Sequence, residues 1–312
     1  MRLSMDQSPT NQTLDISAET AAALEASEPV VALESALITH GFAPPANQEI
    51  AQQIAAAVRQ ENAHPATIAI VEGRPRVGLS DREVTRLAAY RTARKVSLRD
   101  LPLVTAGSAS GGTTVAATMH LAHRAGIRVF STGGIGGVHL GHPEDVSADL
   151  TALGTIPIVV VCAGAKAILD LPRTLQGLET RGVPVIGYGT DEFPAFYSRN
   201  SGLPVDARVE TPEEVARIAR ARRALGLGTA LLVCVPVPED DELPAVQANA
   251  AIAQAVKEAE AAGATGRALT PFLLARMVEL TGGRAQRANE SLLVNNARIA
   301  ARIARALEPT HT

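Results

Sequence analysis

Short apolar runs alternating with helical patterns predict an α/β protein. The expected architecture is three layers, α/β/α, with a mostly parallel central sheet and a helical C-terminal part. Two observations carry this expectation. The run Ile158–Cys162, just after Pro157, is continuous and rich in β-branched residues, as in strands covered on both faces. Similar runs at Val183–Gly187 and Ala230–Val235 are separated by helical patterns near Arg173–Arg181 and Thr211–Leu225.

Taken in order, residues 1–27 read as a flexible N-terminal arm with a short helical piece near Ser17–Ala26. Residues 28–312 read as one catalytic domain. Val30–Leu33 is a buried strand ending at Glu34. Asn47–Glu61 is a helix with an alanine-rich inner face. Thr67–Val71 and Arg76–Leu79 are strands around a turn. Asp81–Tyr90 is a helix with Ser80 as its N-cap. Leu103–Ala106 reads as a strand. The Gly- and Ser-rich stretch Gly107–Gly112 reads as a loop feeding a helix from Thr113 to about Ala125. Val129–Ser131 is a strand running into the loop Gly133–Gly137. The C-terminal helices are Leu243–Ala262, Thr270–Thr281 and Arg287–Leu307.

Composition narrows the function. Hydrophobic residues make up 46% and charged residues 20%, so the chain can bury a substantial core. A net charge of -3 and 3% aromatics, with no Trp, argue against a nucleic-acid partner. No apolar run approaches the roughly 20 residues of a membrane span, and the polar start carries no signal region. A cytoplasmic location is expected. Two Cys cannot build a disulfide scaffold, and Cys162 and Cys234 read as small buried hydrophobes.

Among 29 basic side chains only three are Lys: Lys95, Lys166 and Lys257. Lys can lose its proton and act as a nucleophile, whereas Arg cannot. A Lys kept amid such an Arg bias is a candidate for amine chemistry. Ligands in parallel α/β folds bind at the carboxyl ends of strands. That rule points to Glu34, Gly107–Thr114, Gly133–Asp149 and Lys166.

Lys166 lies just past an apolar strand, where partial burial would favour the neutral amine. Such an amine attacks a sugar aldehyde to form a Schiff base. Snorkelling to solvent is the alternative for this side chain. Glu34, in V-A-L-E-S-A-L, is a carboxyl in apolar surroundings and suits acid–base work, unless it caps the next element or pairs an Arg. The loop S-T-G-G-I-G-G-V-H can present backbone N–H groups to an anion, or be a plain tight turn. The Gly/Ser-rich run before Thr113 can offer a helix start to phosphate, or be an ordinary loop with a Ser/Thr cap. His139, His142, Asp145 and Asp149 cluster in one loop. An oxygen-ligated Mg²⁺ or Mn²⁺ on Asp145 with waters suits that donor set better than zinc, and either Asp could instead be a helix cap. Asn289, Asn295 and Asn296 fall on the last helix, where Asn is a poor former, so a polar contact is expected there.

Many motifs occur here in one order: V-A-L-E-S, P-A-T-I-A, K-V-S-x-R-D-L, G-T-T-V-A-A-T-M, S-T-G-G-I-G-G-V-H, D-V-S-A-D-L, V-C-A-G-A-K-A-I-L-D-L, G-V-P-V-I-G-Y, P-A-F-Y-S-R, T-P-F-L-L and A-N-E-S-L-L-V-N-N-A. Together they resemble the pseudouridine-5'-phosphate glycosidase family, which includes indigoidine-synthase-A-like proteins. The resemblance covers about residues 28–307. It implies reversible cleavage of the C–C glycosidic bond of pseudouridine 5'-phosphate to uracil and ribose 5-phosphate. It also implies a homotrimer with one Mn²⁺ per subunit. By the same resemblance Glu34 is the proton donor and Lys166 the nucleophile. Lys95, Val115, Ser147, Ala148, Asp149 and Asn289 bind substrate, and Asp145 holds the metal. Two departures stand out: Ala36 replaces the Thr of the usual E-S-T, and G-S-A-S-G-G-T-T replaces G-K-N-G-A-T-T. Other readings of the same residues are a class I aldolase-like lyase on another sugar phosphate, or a non-catalytic sugar-phosphate-binding protein.

Overall fold

The computed structural model describes residues 14–264 and 269–308. Residues 1–13 of the expected arm and the last four of the expected domain lie outside the described residues. In chain order the first half runs β1 (Asp15–Ile16), α1 (Ala18–Glu25), β2 (Val30–Leu33), a π-type turn (Leu37–Gly41), α2 (Ala46–Gln60), β3 (His64–Val71), β4 (Arg74–Val77), α3 (Asp81–Ala89), β5 (Arg94–Val96), α4 (Leu101–Ala106), β6 (Gly111–Thr113), α5 (Val115–Arg124) and β7 (Val129–Ser131). The second half runs β8 (Val138–His139), β9 (His142–Val146), α6 (Ala148–Leu153), β10 (Val159–Cys162), β11 (Leu169–Asp170), α7 (Leu171–Thr180), β12 (Val185–Tyr188), β13 (Ala207–Val209), α8 (Pro212–Ala224), β14 (Leu231–Cys234), α9 (Ala245–Ala261), α10 (Leu269–Leu280) and α11 (Arg284–Leu307).

The expected parallel sheet is present, in the order β3-β2-β7-β10-β14-β12-β13 with every pairing parallel. Its central strands, V-V-A-L, V-V-V-C and L-L-V-C, are buried along their whole length. That explains why they show no alternation. The two Cys are buried partners across β10 and β14. β4 and β6 pair antiparallel with β3, and β5 joins β6. A small second sheet holds β11, β8 and β9.

Helices flank the sheet. α11 packs on β2, β7 and β10 between α2 and α8. Its buried face is largely alanine (Ala285, Ala288, Ala297, Ala300, Ala301 and Ala304), which lets the helix lie close to the strands. α5 packs on β2 and β3 and touches α6, which touches α7. Capping boxes start α3 (Ser80 with Glu83) and α8 (Thr211 with Glu214, then Pro212). Among the described residues no helix is long and apolar enough to cross a membrane.

Three expectations are corrected. Leu101–Ala106 is a helix, not a strand over Leu103–Ala106. Only Val104 of it is buried and Leu103 lies exposed, so the apolar run is one helical stripe and not a doubly covered strand. Gly111–Thr113 is a strand, not the end of a loop, and α5 therefore starts at Val115. The arm, from Asp15 onward, is joined to the sheet. β1 pairs β4, Ser17 caps α1, and buried Thr20 shares a hydrogen bond with His64 Nε2 at 2.9 Å.

Candidate active site

The strand order reverses at β2. From there the chain adds β3 on one side and, later, β7 on the other. Register pairs Leu33 with Ser131, so the next residues, Glu34 and Thr132, meet at the carboxyl ends of β2 and β7. Thr132 Oγ1 donates a short hydrogen bond to Glu34 Oε1. This crevice is where ligands bind in parallel sheets.

Glu34 is buried. Burial holds its carboxyl above the ordinary glutamate range, and the charge of Asp149 pushes the same way. Lys166, the Thr132 hydroxyl and Lys95 oppose this without cancelling it. The group thus keeps its proton at higher pH than an exposed glutamate.

Around it lies a cavity of about 80 Å³ that Glu34 shares with Lys95, Lys166, Thr114, Phe196 and Asn289. Each arrives on a different element. Lys95 stands on β5 opposite Gly112 of β6. Gly112 cannot carry a side chain, because a Cβ there would lie 2.3 Å from Thr39 Oγ1 and 2.6 Å from the Ser35 carbonyl. Half-buried Lys166 follows β10 through A-G-A. Its backbone N–H donates to Ile135 O at 3.0 Å, tying it to the Gly-rich loop. Gly164 makes this turn at φ +83°, with the Pro194 carbonyl where a Cβ would sit. Asn289 comes from α11.

Asp149 has a different place from a simple substrate contact. Its Oδ1 accepts from Ala116 N at 3.0 Å and its Oδ2 from Gly136 N at 2.8 Å. The carboxylate therefore occupies the N-terminal turn of α5, where a phosphate was expected, and clamps that helix to the Gly-rich loop. Val115 is buried beside it. Ser147 caps α6 with its hydroxyl at 3.2 Å from Asp149 N, and Ala148 is exposed. Val115, Ser147, Ala148 and Asp149 are not among the residues that line the cavity.

Asp145 lies on exposed β9, with Oδ2 3.4 Å from His139 Nδ1. Among the described residues no three His, Cys, Asp or Glu side chains gather as a metal cage. The donor set here, one exposed carboxylate with an imidazole beside it, fits a hard divalent ion that keeps most of its waters.

Four residues were not singled out for the chemistry. Thr132 bonds the acid. His40 lines the cavity, and burial and Lys95 lower its pKa, favouring the neutral imidazole. Phe196 covers Gly134 from a left-handed backbone conformation, φ +62°. Asn296, fully buried, donates to Thr132 O at 2.9 Å. The three Asn on α11 were a signal for the last; Thr132 and Phe196 stand in S-T-G-G-I-G-G-V-H and P-A-F-Y-S-R, where nothing singles them out from their neighbours. A larger cavity, about 710 Å³, opens at the amino ends of β7 and β10. Its lining has Arg and apolar side chains but no Lys, Asp or Glu. Arg128 and Arg220 there bond the last carbonyls of α11. The lysine–glutamate pair lies in the smaller cavity.

Fold and site together define a parallel α/β protein with an amine and a protonatable carboxyl at its topological switch point. The chain belongs to the family described as indigoidine synthase A like protein, whose sequence profile matches residues 19–306. A pseudouridine-5'-phosphate glycosidase of Rhodospirillum centenum is 61% identical over 293 residues, covering 93% of this chain and 91% of the relative. One of Methylobacterium nodulans is 56% identical over 296 residues, covering 94% and 88%. Two solved structures superpose with a TM-score of 0.88. The prealnumycin C-glycosynthase AlnA, in complex with ribulose 5-phosphate, is 40% identical over 95% of this chain and 97% of its own. An indigoidine synthase A-like protein of Thermotoga maritima is 35% identical over 97% and 100%.

Proposed function

We propose that this chain is a pseudouridine-5'-phosphate glycosidase, cleaving the C–C glycosidic bond reversibly to uracil and ribose 5-phosphate. The observation that carries the reading is the convergence of Lys166, Lys95 and protonatable Glu34 on one cavity. Relatives at 56–61% identity that bear this name support it.

A C–C bond offers no leaving oxygen to protonate, so paired-carboxylate hydrolysis does not apply. In the proposed route the Lys166 amine bonds to the sugar's C1 and the ring oxygen leaves with a proton. The bond from C1 to the base carbon then breaks, that carbon takes a proton, and C1 remains as an imine on Lys166. Water hydrolyses the imine, releasing the aldehyde and restoring the amine. Glu34 is the group placed to supply and recover protons, because burial keeps it protonated at higher pH. Lys95 supplies positive charge for the phosphate. Asn289 offers an amide to the base. In this reading Val115, Ser147, Ala148 and Asp149 are further substrate-binding residues that lie outside the cavity lining.

The same reading carries one Mn²⁺ per subunit, a homotrimer and a cytoplasmic location. A divalent ion on Asp145, with waters, would offset phosphate charge. Exposed Leu140 and Val146 on the β8–β9 hairpin offer apolar surface to a neighbouring subunit.

The test is release of uracil and ribose 5-phosphate from pseudouridine 5'-phosphate, with and without Mn²⁺, by wild type and Lys166→Ala. Metal-dependent release lost in the variant is expected. No release by folded wild type would discard the reading.

A further inference from the structure

We propose that Asn296 is a positioning residue for Glu34 that acts through Thr132; its catalytic consequence rests on the glycosidase reading, its structural action does not. The case starts from an energetic oddity. Asn296 has no exposed surface, on a helix face otherwise built of alanine, leucine and isoleucine. Asn is a poor helix former, and a buried amide costs free energy unless bonded. Only half of this amide is bonded among the described residues. Nδ2 donates to Thr132 O at 2.9 Å and leans toward Gly133 O at 3.4 Å, while Oδ1 has no partner. Both contacted atoms are carbonyls, so only the –NH₂ end can face them. An alanine or leucine would avoid the unpaired oxygen. What the amide adds is a grip on the Thr132–Gly133 backbone.

That grip completes a clamp. The Thr132 N–H donates to Val161 O of β10 at 3.0 Å. With its N–H held by β10 and its carbonyl by α11, the Thr132 hydroxyl is aimed at Glu34. Asn289, seven residues or two helical turns earlier on α11, lines the cavity that holds Glu34. One rigid helix thus sets both the acid and the amide expected at the base. The charged groups facing Glu34 are Lys166 after β10, Lys95 on β5 and Asp149 on α6. None of these changes when Asn296 is replaced. Thr132's hydrogen bond favours the ionised carboxylate. Loosening Thr132 therefore moves the Glu34 titration upward.

The experiment compares wild type, Asn296→Ala, Asn296→Gln, Thr132→Val and the Asn296→Ala/Thr132→Val double variant. The first readout is the ¹³C carboxyl signal of Glu34, assigned with Glu34→Gln and followed against pH. The expected result is an upward move of the midpoint in both single variants. The double variant should move no further than Thr132→Val, as for residues acting in series. Asn296→Gln should recover part of the move. The second readout is uracil release. kcat should fall about 10- to 100-fold in Asn296→Ala, with KM within about threefold and the pH limb displaced upward. A Glu34 midpoint unmoved in Asn296→Ala, or additive moves in the double variant, overturns the proposal. Alanine is the strongest helix former and already lines this face, so the variant is expected to fold. Should wild type release no uracil, the glycosidase reading falls, and the carboxyl titration still decides the role of Asn296.

Discussion

At the scale of single residues, the burial of Glu34 has two measurable effects. Glu34→Gln should lower kcat by about 10²- to 10⁴-fold, the usual worth of a positioned acid. It should also change how stability depends on pH. Between the ordinary glutamate range and the raised native value, the native state holds a proton that the unfolded state has lost. Stability therefore falls as pH rises through that window. The glutamine variant lacks this loss. Its melting temperature relative to wild type should be higher at about pH 8 than at about pH 4, read by scanning calorimetry. Asp145→Asn should raise the Mn²⁺ concentration for half-maximal activity while leaving the melting temperature near wild type, since its carboxylate lies half exposed. Lys166 and Glu34 were legible in the sequence because reactive residue types at strand ends stand out, and Lys95 through the scarcity of Lys and the family resemblance. Thr132 and Asn296 were less so. Their bonds join positions 98 and 164 residues apart, and no local pattern encodes such pairs.

At the scale of elements, β6 is the informative case. Its two glycines permit a strand to run between β3 and β5 against the Ser35 backbone. Gly112→Ala should destabilise by about 1–3 kcal/mol, as overpacking does, and weaken substrate binding through Lys95, its register partner. Denaturant unfolding and KM measure the two effects. Thr211→Ala removes the capping box of α8 and should cost about 1 kcal/mol with activity unchanged. The misread elements were short ones. Leu103–Ala106 and Gly111–Thr113 are too brief for a period to declare itself, and glycine in a strand looks like a loop until its close neighbours are known. The long helices were legible because their pattern repeats over several turns, and the doubly covered strands because their apolar runs are unbroken.

At the scale of the whole molecule, burial is uneven. The β2, β7, β10 and β14 strands and the α11 face are enclosed, whereas the β9 strand is exposed throughout. Native-state hydrogen exchange should find the slowest amides in those strands and α11, and far faster exchange in Val138–Val146. The layer order was legible from alternation. The switch point was not, because strand order is set by crossovers that sequence periodicity does not report.

The seam between β2 and β7 has a kinetic meaning as well. Its two strands are separated along the chain by β3, β4, β5, β6 and four helices. Closing it requires one of the longer loops in the molecule, and such contacts pay their entropy before they gain anything. Regain of activity on dilution from denaturant should therefore lag behind regain of helical circular dichroism. The delay would time the moment at which the two halves of the chain first meet.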